Sequence, residues 1–147
     1  MNVNMHASSP PSVTSEQVFR PMPYEVDFTG FLSNTVAPRW MEILRVSLMD
    51  RHFPNVDNEI PEHLSVIAET QIKYLKPARY NDVIRGRAWL ESVSYSRWVI
   101  AFRFDFHGDG LAMLQGRQVG VFIHPQTLMP VPIPAAIRQS LSHCEPT

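Results

Sequence analysis

The segment YEVDFTGFLSNTVAPRWMEILR, residues 24–45, places a lone carboxylate, Asp27, just before an apolar helical pattern. Its neighbours include Phe28, Phe31 and Leu32, and no basic residue lies within five positions of it. A carboxylate in this setting either forms a turn or reacts, as a nucleophile or as a general base. Aspartates before helices are usually turn or capping residues, so the pattern alone favours the structural role.

A helix is predicted over residues 35–53, because apolar side chains recur there at spacings of three and four. Pro38 is tolerated only in the first turn, so the helix begins close to Asn34 or Thr35, and either side chain is a good N-cap. The first turn of a helix carries unpaired N–H groups and about half a unit of positive charge. A loop can return Asp27, seven residues upstream of Asn34, to that helix end. The helix pattern consists of Ala37, Trp40, Met41, Leu44 and Leu48.

Four segments in the second half of the chain have the composition of strands. In RWVIAFRFDF, three phenylalanines alternate with Ala101, Arg103 and Asp105, as in a strand with one apolar face. HGDG at 107–110 is a strong hairpin signal, and SVSYS at 92–96 is a weaker one. The strand segments are about 64–76, 82–94, 96–107 and 111–124.

Two further elements complete the predicted fold. Residues 17–26 look extended, and Pro21 and Pro23 confine such a strand to an edge. AAIRQSLSH, residues 135–143, is a short terminal helix, and residues 54–63 form a polar linker. An antiparallel sheet with one apolar face needs a cover, and the long helix is the only candidate. The sequence therefore predicts an α+β fold with a sheet curved around one helix.

The composition bounds the class of protein. The chain has 147 residues, of which 44% are hydrophobic and 18% charged, and these values predict one globular domain. We expect residues 1–16 to be a disordered tail and residues 17–143 to be the domain. A formal charge of -1 gives no reason to expect a nucleic acid or a membrane as partner. The lone Cys144 excludes an internal disulfide, and the N-terminus lacks a signal-peptide pattern, so a cytoplasmic protein is expected.

Three groups of motifs follow one another along the chain. Asp27, Gly30 and Asn34 precede the helix segment RWMEILR, IKYLKPARYND connects two strands, and VFIHPQTLMPVPIP leads to the terminal helix. This order, over about residues 20–140, resembles the hotdog-fold acyl-CoA thioesterases, in particular the 4-hydroxybenzoyl-CoA thioesterase-like group. The chain departs from the family pattern at Glu25, where the group has an aspartate.

The resemblance implies a five-stranded antiparallel sheet wrapped around one long central helix, and hydrolysis of an acyl thioester. It implies that Asp27 is the nucleophile or general base and that the backbone amides of Asn34 and Thr35 polarise the carbonyl. The implied substrate is an acyl-CoA or an acyl-carrier protein, with no cofactor and no metal. The implied assembly is a homodimer or homotetramer with the site between subunits. The residues expected to bind substrate are Phe28, Gly30, Phe31, Trp40 and Met41, although core packing explains the large ones equally well.

Other functions and other site residues fit the same sequence. A hotdog-fold hydratase relies on a histidine five residues after the aspartate, where this chain has Leu32, so hydrolysis is favoured. A non-catalytic acyl-thioester-binding module needs no reactive carboxylate and stays open. Glu42 is the alternative carboxylate, although Arg39 and Arg45 at three-residue spacings favour ordinary ion pairing. Candidates for binding coenzyme A phosphates are Lys73, Lys76, Arg79, Arg85, Arg87, Arg97 and Arg117.

Overall fold

Side chains alternate between two environments along the strands, and this alternation builds one sheet with a face packed against a helix. The computed structural model describes residues 12–54 and 63–142. Neither helix in these ranges is long and apolar enough to cross a membrane. The strands are β1 (Thr14–Phe19), β2 (Leu64–Tyr74), β3 (Ile84–Val93), β4 (Arg97–Phe106) and β5 (Ala112–Ile123), and the helices are α1 (Ala37–His52) and α2 (Ala135–Ser142).

The strands pair in the order β1-β3-β4-β5-β2, and every pair is antiparallel. Phe102 lies opposite Ala88 in the β3–β4 ladder, and both are buried on the face towards α1. Arg103 lies opposite Arg87 on the other face. The predicted sheet around one long helix is confirmed, as are the hairpins at 92–96 and 107–110.

Helix α1 buries the side chains that its sequence pattern predicts. The Trp40 ring stacks on the Phe19 ring of β1, with the ring centroids 4.8 Å apart. The buried hydroxyl of Ser15 donates a hydrogen bond of 2.7 Å to the carbonyl oxygen of Leu44 in the middle of the helix. Burying one large apolar side chain contributes about 1.5–3 kcal/mol. The sheet therefore fixes the position of α1, and with it the position of the first turn of the helix.

The N-terminal strand lies earlier in the chain than predicted. β1 covers residues 14–19 rather than 17–26, and it pairs with β3 from Thr14 opposite Trp89 to Phe19 opposite Ile84. Proline provides no N–H to a ladder, and a 3₁₀ turn over Pro23–Glu25 replaces the expected strand. Residues 14–16, predicted to be part of the disordered tail, therefore belong to β1. Three parts of the predicted organisation lie outside the described residues: residues 1–11 of the tail, residues 55–62 of the linker, and Cys144.

The start of α1 also differs from the prediction. Pro38 does lie in the first turn, but the helix begins at Ala37, and no side chain caps it. Asn34 and Thr35 are therefore not its N-cap residues. They form a turn before the helix, in which the N–H of Val36 donates to the carbonyl oxygen of Ser33 at 3.1 Å. This turn takes the place of a side-chain cap, because it brings the chain into helical geometry from the preceding loop.

Strand β2 forms an exposed edge of the sheet. Ten of its eleven side chains are exposed, and Ile72 is the exception. The opposite edge, β1, is shorter, with six residues. An exposed edge strand presents unpaired backbone N–H and C=O groups that can bind another strand. β2 is thus the longer of the two free edges.

Candidate active site

A short antiparallel loop carries Asp27. Val26 bridges to Leu32, and the N–H of Asp27 donates to the carbonyl oxygen of Phe31 at 3.0 Å. Gly30 closes the turn with a φ of 83°, a left-handed conformation that favours glycine. Two contacts tie this loop to the loop after β2: the N–H of Leu32 donates to the carbonyl of residue 78 at 2.8 Å, and Phe31 bridges to Arg79. The position of Asp27 is thus set by both loops.

The Asp27 carboxylate is fully exposed and forms an Asx turn with Thr29. Its Oδ1 accepts hydrogen bonds from the Thr29 hydroxyl and, at 2.9 Å, from the Thr29 N–H. These two donors, the hydroxyl first, hold the pKa of the Asp27 carboxyl below its ordinary value. Asp27 is therefore ionised at neutral pH, which is the form that a nucleophile or general base requires.

The turn before α1 leaves a backbone amide free. The N–H of Thr35 donates a long hydrogen bond of 3.3 Å to the Oγ of Ser33. The N–H of Asn34 has no acceptor among the described residues. The Asn34 carbonyl accepts a hydrogen bond of 2.8 Å from the Tyr74 hydroxyl. Of the two amides expected to polarise a carbonyl, that of Asn34 is the more available.

An apolar pocket of about 170 Å³ opens beside this amide. Its walls come from residues 32–34 and Ala37 at the start of α1, from residues 74–78 at the end of β2, and from Met113 and Leu114 of β5. No histidine is among the lining residues that the structure describes. The pocket thus combines an apolar wall with the unpaired N–H of Asn34 in the turn before α1, which suits an acyl group and its carbonyl oxygen.

Asp27 and Asn34 lie at opposite ends of the loop ladder. The N–H of Ser33, next to Asn34, donates to the carbonyl of Glu25 at 2.8 Å, whereas Asp27 pairs with Phe31. The hydrogen-bonded pair of Asp27 and Phe31 lies two residues further from the helix than the pair of Glu25 and Ser33. Two residues of an extended strand span roughly 7 Å. Within one chain the Asp27 carboxylate therefore faces Thr29 at the tip of the loop.

The five predicted substrate-binding residues fall into three different environments. Trp40 and Met41 are 3% and 0% exposed in the core, so their helical spacing reflects packing. Phe28 is fully exposed at the loop tip, and Gly30 is exposed beside it. Phe31 is half-buried, with the Arg79 guanidinium 5.4 Å from its ring centroid. Within one chain none of the five lines the pocket.

The sequence did not point to the residues that form the far wall of the pocket. Tyr74 is 40 residues from Asn34 in the chain, and only the sheet order brings them together. Met113 and Leu114 belong to β5, the neighbour of β2, and have the pattern of ordinary strand residues. The one local signal was Tyr74, the first tyrosine of the IKYLKPARYND motif.

The alternative carboxylate, Glu42, lies away from this pocket. Its side chain is 63% exposed and pairs with Arg45 at 4.0 Å, at the spacing expected of a helical ion pair. It lines an open surface groove with Ile43 and Val46 on the outward side of α1. The geometry of one chain thus favours the ordinary ion pair that the sequence indicated for Glu42.

The candidate basic residues separate into paired and unpaired side chains. Arg85 pairs with Glu16, Arg87 with Asp105, and Arg117 with Glu91. The hydrogen bond from Arg85 lowers the pKa of Glu16, so this pair is ionic at neutral pH. Four candidates make no ion pair within the described part of the chain: Lys73, Lys76, Arg79 and Arg97.

Two of the unpaired cations lie close to the pocket. Lys76 is one of its lining residues, and its Nζ lies 5.1 Å from the centroid of the Phe106 ring. Arg79 lies over Phe31, one residue beyond the pocket wall. Across residues 12–54 and 63–142, no three His, Cys, Asp or Glu side chains are grouped so as to hold a metal ion.

Comparisons with known proteins agree on one family and one fold. The model of the thioesterase-like superfamily matches residues 21–141. A 1,4-dihydroxy-2-naphthoyl-CoA thioesterase from Synechocystis superposes with a TM-score of 0.78 at 11% identity, over 88% of this chain and 96% of that one. A predicted thioesterase from Bacillus stearothermophilus gives 0.75 at 24% identity, over 91% and 99%.

A larger protein shares the same fold. The 12:0-ACP thioesterase from Umbellularia californica gives a TM-score of 0.80 at 13% identity, over 92% of this chain and 55% of that one. At these identities the solved structures establish the predicted hotdog fold and not the substrate. No curated protein matches the chain in sequence.

Proposed function

Because the chain belongs to the thioesterase-like superfamily, we propose that it hydrolyses the thioester of an acyl group carried by coenzyme A or by an acyl-carrier protein. The observation that carries this proposal is the unpaired N–H of Asn34 beside an apolar pocket at the start of α1. A thioester needs little help with its leaving group, since a thiol with a pKa of about 8.5 leaves readily as the thiolate. What it needs is a polarised carbonyl and an attacking oxygen.

The start of α1 supplies the polarising group in this proposal. The carbonyl oxygen accepts a hydrogen bond from the N–H of Asn34, and the N–H of Thr35 joins when it releases Ser33. Negative charge develops on that oxygen as the acyl carbon becomes tetrahedral, and the helix dipole stabilises it. Removing one such donor in other enzymes costs about 2.7–4 kcal/mol of transition-state stabilisation.

Asp27 supplies the attacking oxygen, by one of two routes. As a nucleophile, its carboxylate attacks the acyl carbon, the C–S bond breaks, and the thiolate leaves; water then hydrolyses the anhydride and restores the carboxylate. As a general base, it takes a proton from a water molecule while the water oxygen attacks. Both routes consume one water and give a free acid and a thiol.

We further propose that the active unit is a homodimer joined through β2, or a homotetramer built from two such dimers. The long exposed edge of β2 ends at Tyr74, which is part of the pocket wall. A second copy paired along this edge would lie next to the pocket, so the site would be between subunits. Such a neighbour would also remove the free edge of the sheet from solvent. In such a dimer, the Asp27 loop of one subunit would offer a second way to bring this carboxylate to the thioester bound in the other subunit.

The test is thiol release from a panel of acyl-CoA and acyl-carrier-protein substrates. We expect Asp27→Asn to lower kcat/KM by two or more orders of magnitude with the fold intact by circular dichroism. Asp50→Asn, which removes an exposed carboxylate from the outward side of α1, is the matched control and should behave like the wild type. Equal rates for the wild type and Asp27→Asn would exclude Asp27, and loss of activity in Glu42→Gln would then identify Glu42 as the catalytic carboxylate.

One observation favours a second function, a non-catalytic module that binds acyl thioesters. In one chain the Asp27 carboxylate is bound by Thr29 and lies away from the free amide of Asn34. A pocket without an attacking group would hold a thioester and leave it intact. Saturable binding of both acyl carriers without thiol release would support this module over the hydrolase.

A further inference from the structure

An open groove of about 590 Å³ adjoins the pocket at the start of α1. It lies between the loop that follows β2 and the tip of the β4–β5 hairpin at residues 107–109. Lys76 and Pro77 line both the groove and the pocket, so the two spaces are neighbours. A thioester whose carbonyl lies at Asn34 therefore has the groove as a path for the part of the substrate that extends beyond the apolar pocket.

The groove contains two cations that are held in place without an ion pair. Lys76 lies over the Phe106 ring and Arg79 over the Phe31 ring, with distances of 5.1 and 5.4 Å to the ring centroids. A cation over an aromatic face is attracted by the ring quadrupole. Each contact favours one placement of an exposed side chain, which reduces the entropy that the side chain would lose on binding a ligand.

The carboxylates of the groove leave those cations available. Oδ2 of Asp82 accepts the backbone N–H of Arg79 at 2.7 Å, and Oδ1 of Asp109 accepts the N–H of Leu111 at 2.9 Å. Neither carboxylate makes an ion pair with a basic side chain in the described ranges. The arginines of the outer sheet face differ, because Arg85 and Arg87 are each bound to an acidic partner.

We propose that the phosphate of the substrate's pantetheine carrier binds between Lys76 and Arg79, which assigns the groove to the leaving thiol and the apolar pocket to the acyl group. This inference rests on the function proposed above. Acyl-CoA and acyl-carrier protein share that phosphate, at the end of the pantetheine arm away from the sulfur. The planar fork of arginine and the compact charge of lysine both form strong hydrogen bonds to phosphate oxygens.

The direct test is binding of coenzyme A itself, measured by calorimetry at low salt. The double variant Lys76→Gln/Arg79→Gln should raise the Kd at least tenfold, and the difference should shrink as salt is added. Lys73→Gln/Arg97→Gln is the matched control, because it removes two unpaired cations that do not line the groove. Its Kd should stay within twofold of the wild type. An unchanged Kd in the groove variant, or no binding of coenzyme A by the wild type, would overturn the assignment.

Steady-state kinetics distinguishes phosphate binding by Lys76 and Arg79 from a structural role of these residues. The groove variant should raise KM for an acyl-CoA about tenfold with kcat within twofold. The same variant should hydrolyse the corresponding acyl-pantetheine, which lacks the phosphate, as fast as the wild type. Loss of activity on both substrates would indicate damage to the pocket and would contradict the proposal.

Two further results separate the possible failures and the possible carriers. If the wild type hydrolyses no thioester but coenzyme A binding depends on Lys76 and Arg79, the proposed hydrolysis is wrong and the groove assignment holds. If hydrolysis occurs but binding is unaffected, only the groove assignment is wrong. A rise in KM with acyl-carrier protein as well as acyl-CoA would support the shared phosphate, and a rise with acyl-CoA alone would exclude the carrier protein as its source.

Discussion

The hydroxyl of Tyr74 donates a hydrogen bond of 2.8 Å to the carbonyl oxygen of Asn34, so the last residue of β2 holds the turn that precedes α1. The carbonyl of Asn34 belongs to the same planar peptide group as the N–H of Thr35, and in a trans peptide the two point in opposite directions. By fixing the carbonyl of Asn34, Tyr74 orients the N–H of Thr35, the second of the two amides that we propose polarise the thioester. It is a positioning residue in this scheme, since it acts through Asn34.

Tyr74→Phe tests this role. The net contribution of one hydrogen bond is about 1 kcal/mol, so we expect kcat to fall about fivefold while KM changes little. Tyr95→Phe, at an exposed tyrosine outside the pocket, is the control and should leave kcat unchanged. A higher KM with an unchanged kcat would show that Tyr74 contributes only to binding.

Thr29 sets the pH range of the reaction if Asp27 is catalytic. Its hydroxyl and N–H lower the pKa of Asp27, so the carboxylate stays ionised as the pH falls below the ordinary range for aspartate, about 3.9. Thr29→Val removes the hydroxyl donor and should raise that pKa. The acid limb of the profile of kcat/KM against pH should therefore move to higher pH, and the rate near neutral pH should change little.

The control for the pH profile is Thr127→Val, in the loop after β5, where the hydroxyl oxygen accepts a hydrogen bond from the N–H of Met129. Its acid limb should coincide with that of the wild type. An acid limb that stays in place in Thr29→Val would mean that a different group titrates in the reaction.

A single charged side chain on the β2 edge should disrupt the proposed dimer. Val66 is 39% exposed on this edge, and Val18 is 50% exposed on the opposite edge, β1. Lysine on an edge strand disfavours strand-to-strand pairing. We expect Val66→Lys to convert the dimer into monomers in size-exclusion chromatography with light scattering and to reduce thiol release. Val18→Lys should leave both properties unchanged, and a dimer that survives Val66→Lys would place the interface elsewhere.

Gly120 is predicted to be intolerant of even one added methyl group. A Cβ at this position would lie 1.9 Å from two ring carbons of Trp98, whose Nε1 donates to Ser65 at 2.9 Å. Overpacking of this kind costs about 1–3 kcal/mol, and Gly120→Ala should lower the free energy of unfolding in urea by this amount. Gly108→Ala, where a Cβ would meet nothing within 4 Å, is the control. Equal stabilities would mean that Trp98 can move aside at no cost.

Local patterns predicted most of the fold correctly. The spacing of Leu44 and Leu48 on α1 is confirmed by their complete burial, and the glycines of HGDG mark the observed hairpin. β1 was misplaced because its polar residues, such as Ser15, show little apolar alternation. Ser15 is buried through its bond to the Leu44 carbonyl and its pairing with Ala88 in β3. Such long-range contacts leave no local signal in the sequence.

The candidate site was predictable only in its local part. Pro38 and the helical periodicity predicted the first turn of α1, although the helix begins at Ala37 rather than at Asn34 or Thr35. The opposite wall follows from the β5–β2 pairing, which brings Tyr74 and Leu114 side by side. Trp40 and Met41 have the same residue types whether they line a pocket or fill a core, so composition could not separate the two environments.

The two hydrogen-bonded contacts between the Asp27 loop and the loop after β2 link properties that are often varied separately. Because Leu32 is bonded to residue 78 and Phe31 bridges to Arg79, the two loops form one mechanical unit. An insertion or deletion that moves the backbone of residues 76–79 would also displace the carboxylate at the other end of that unit. Redesign of carrier preference by exchanging this loop should therefore alter turnover at the same time, whereas side-chain exchange at Lys76 and Arg79 leaves the linking backbone contacts in place.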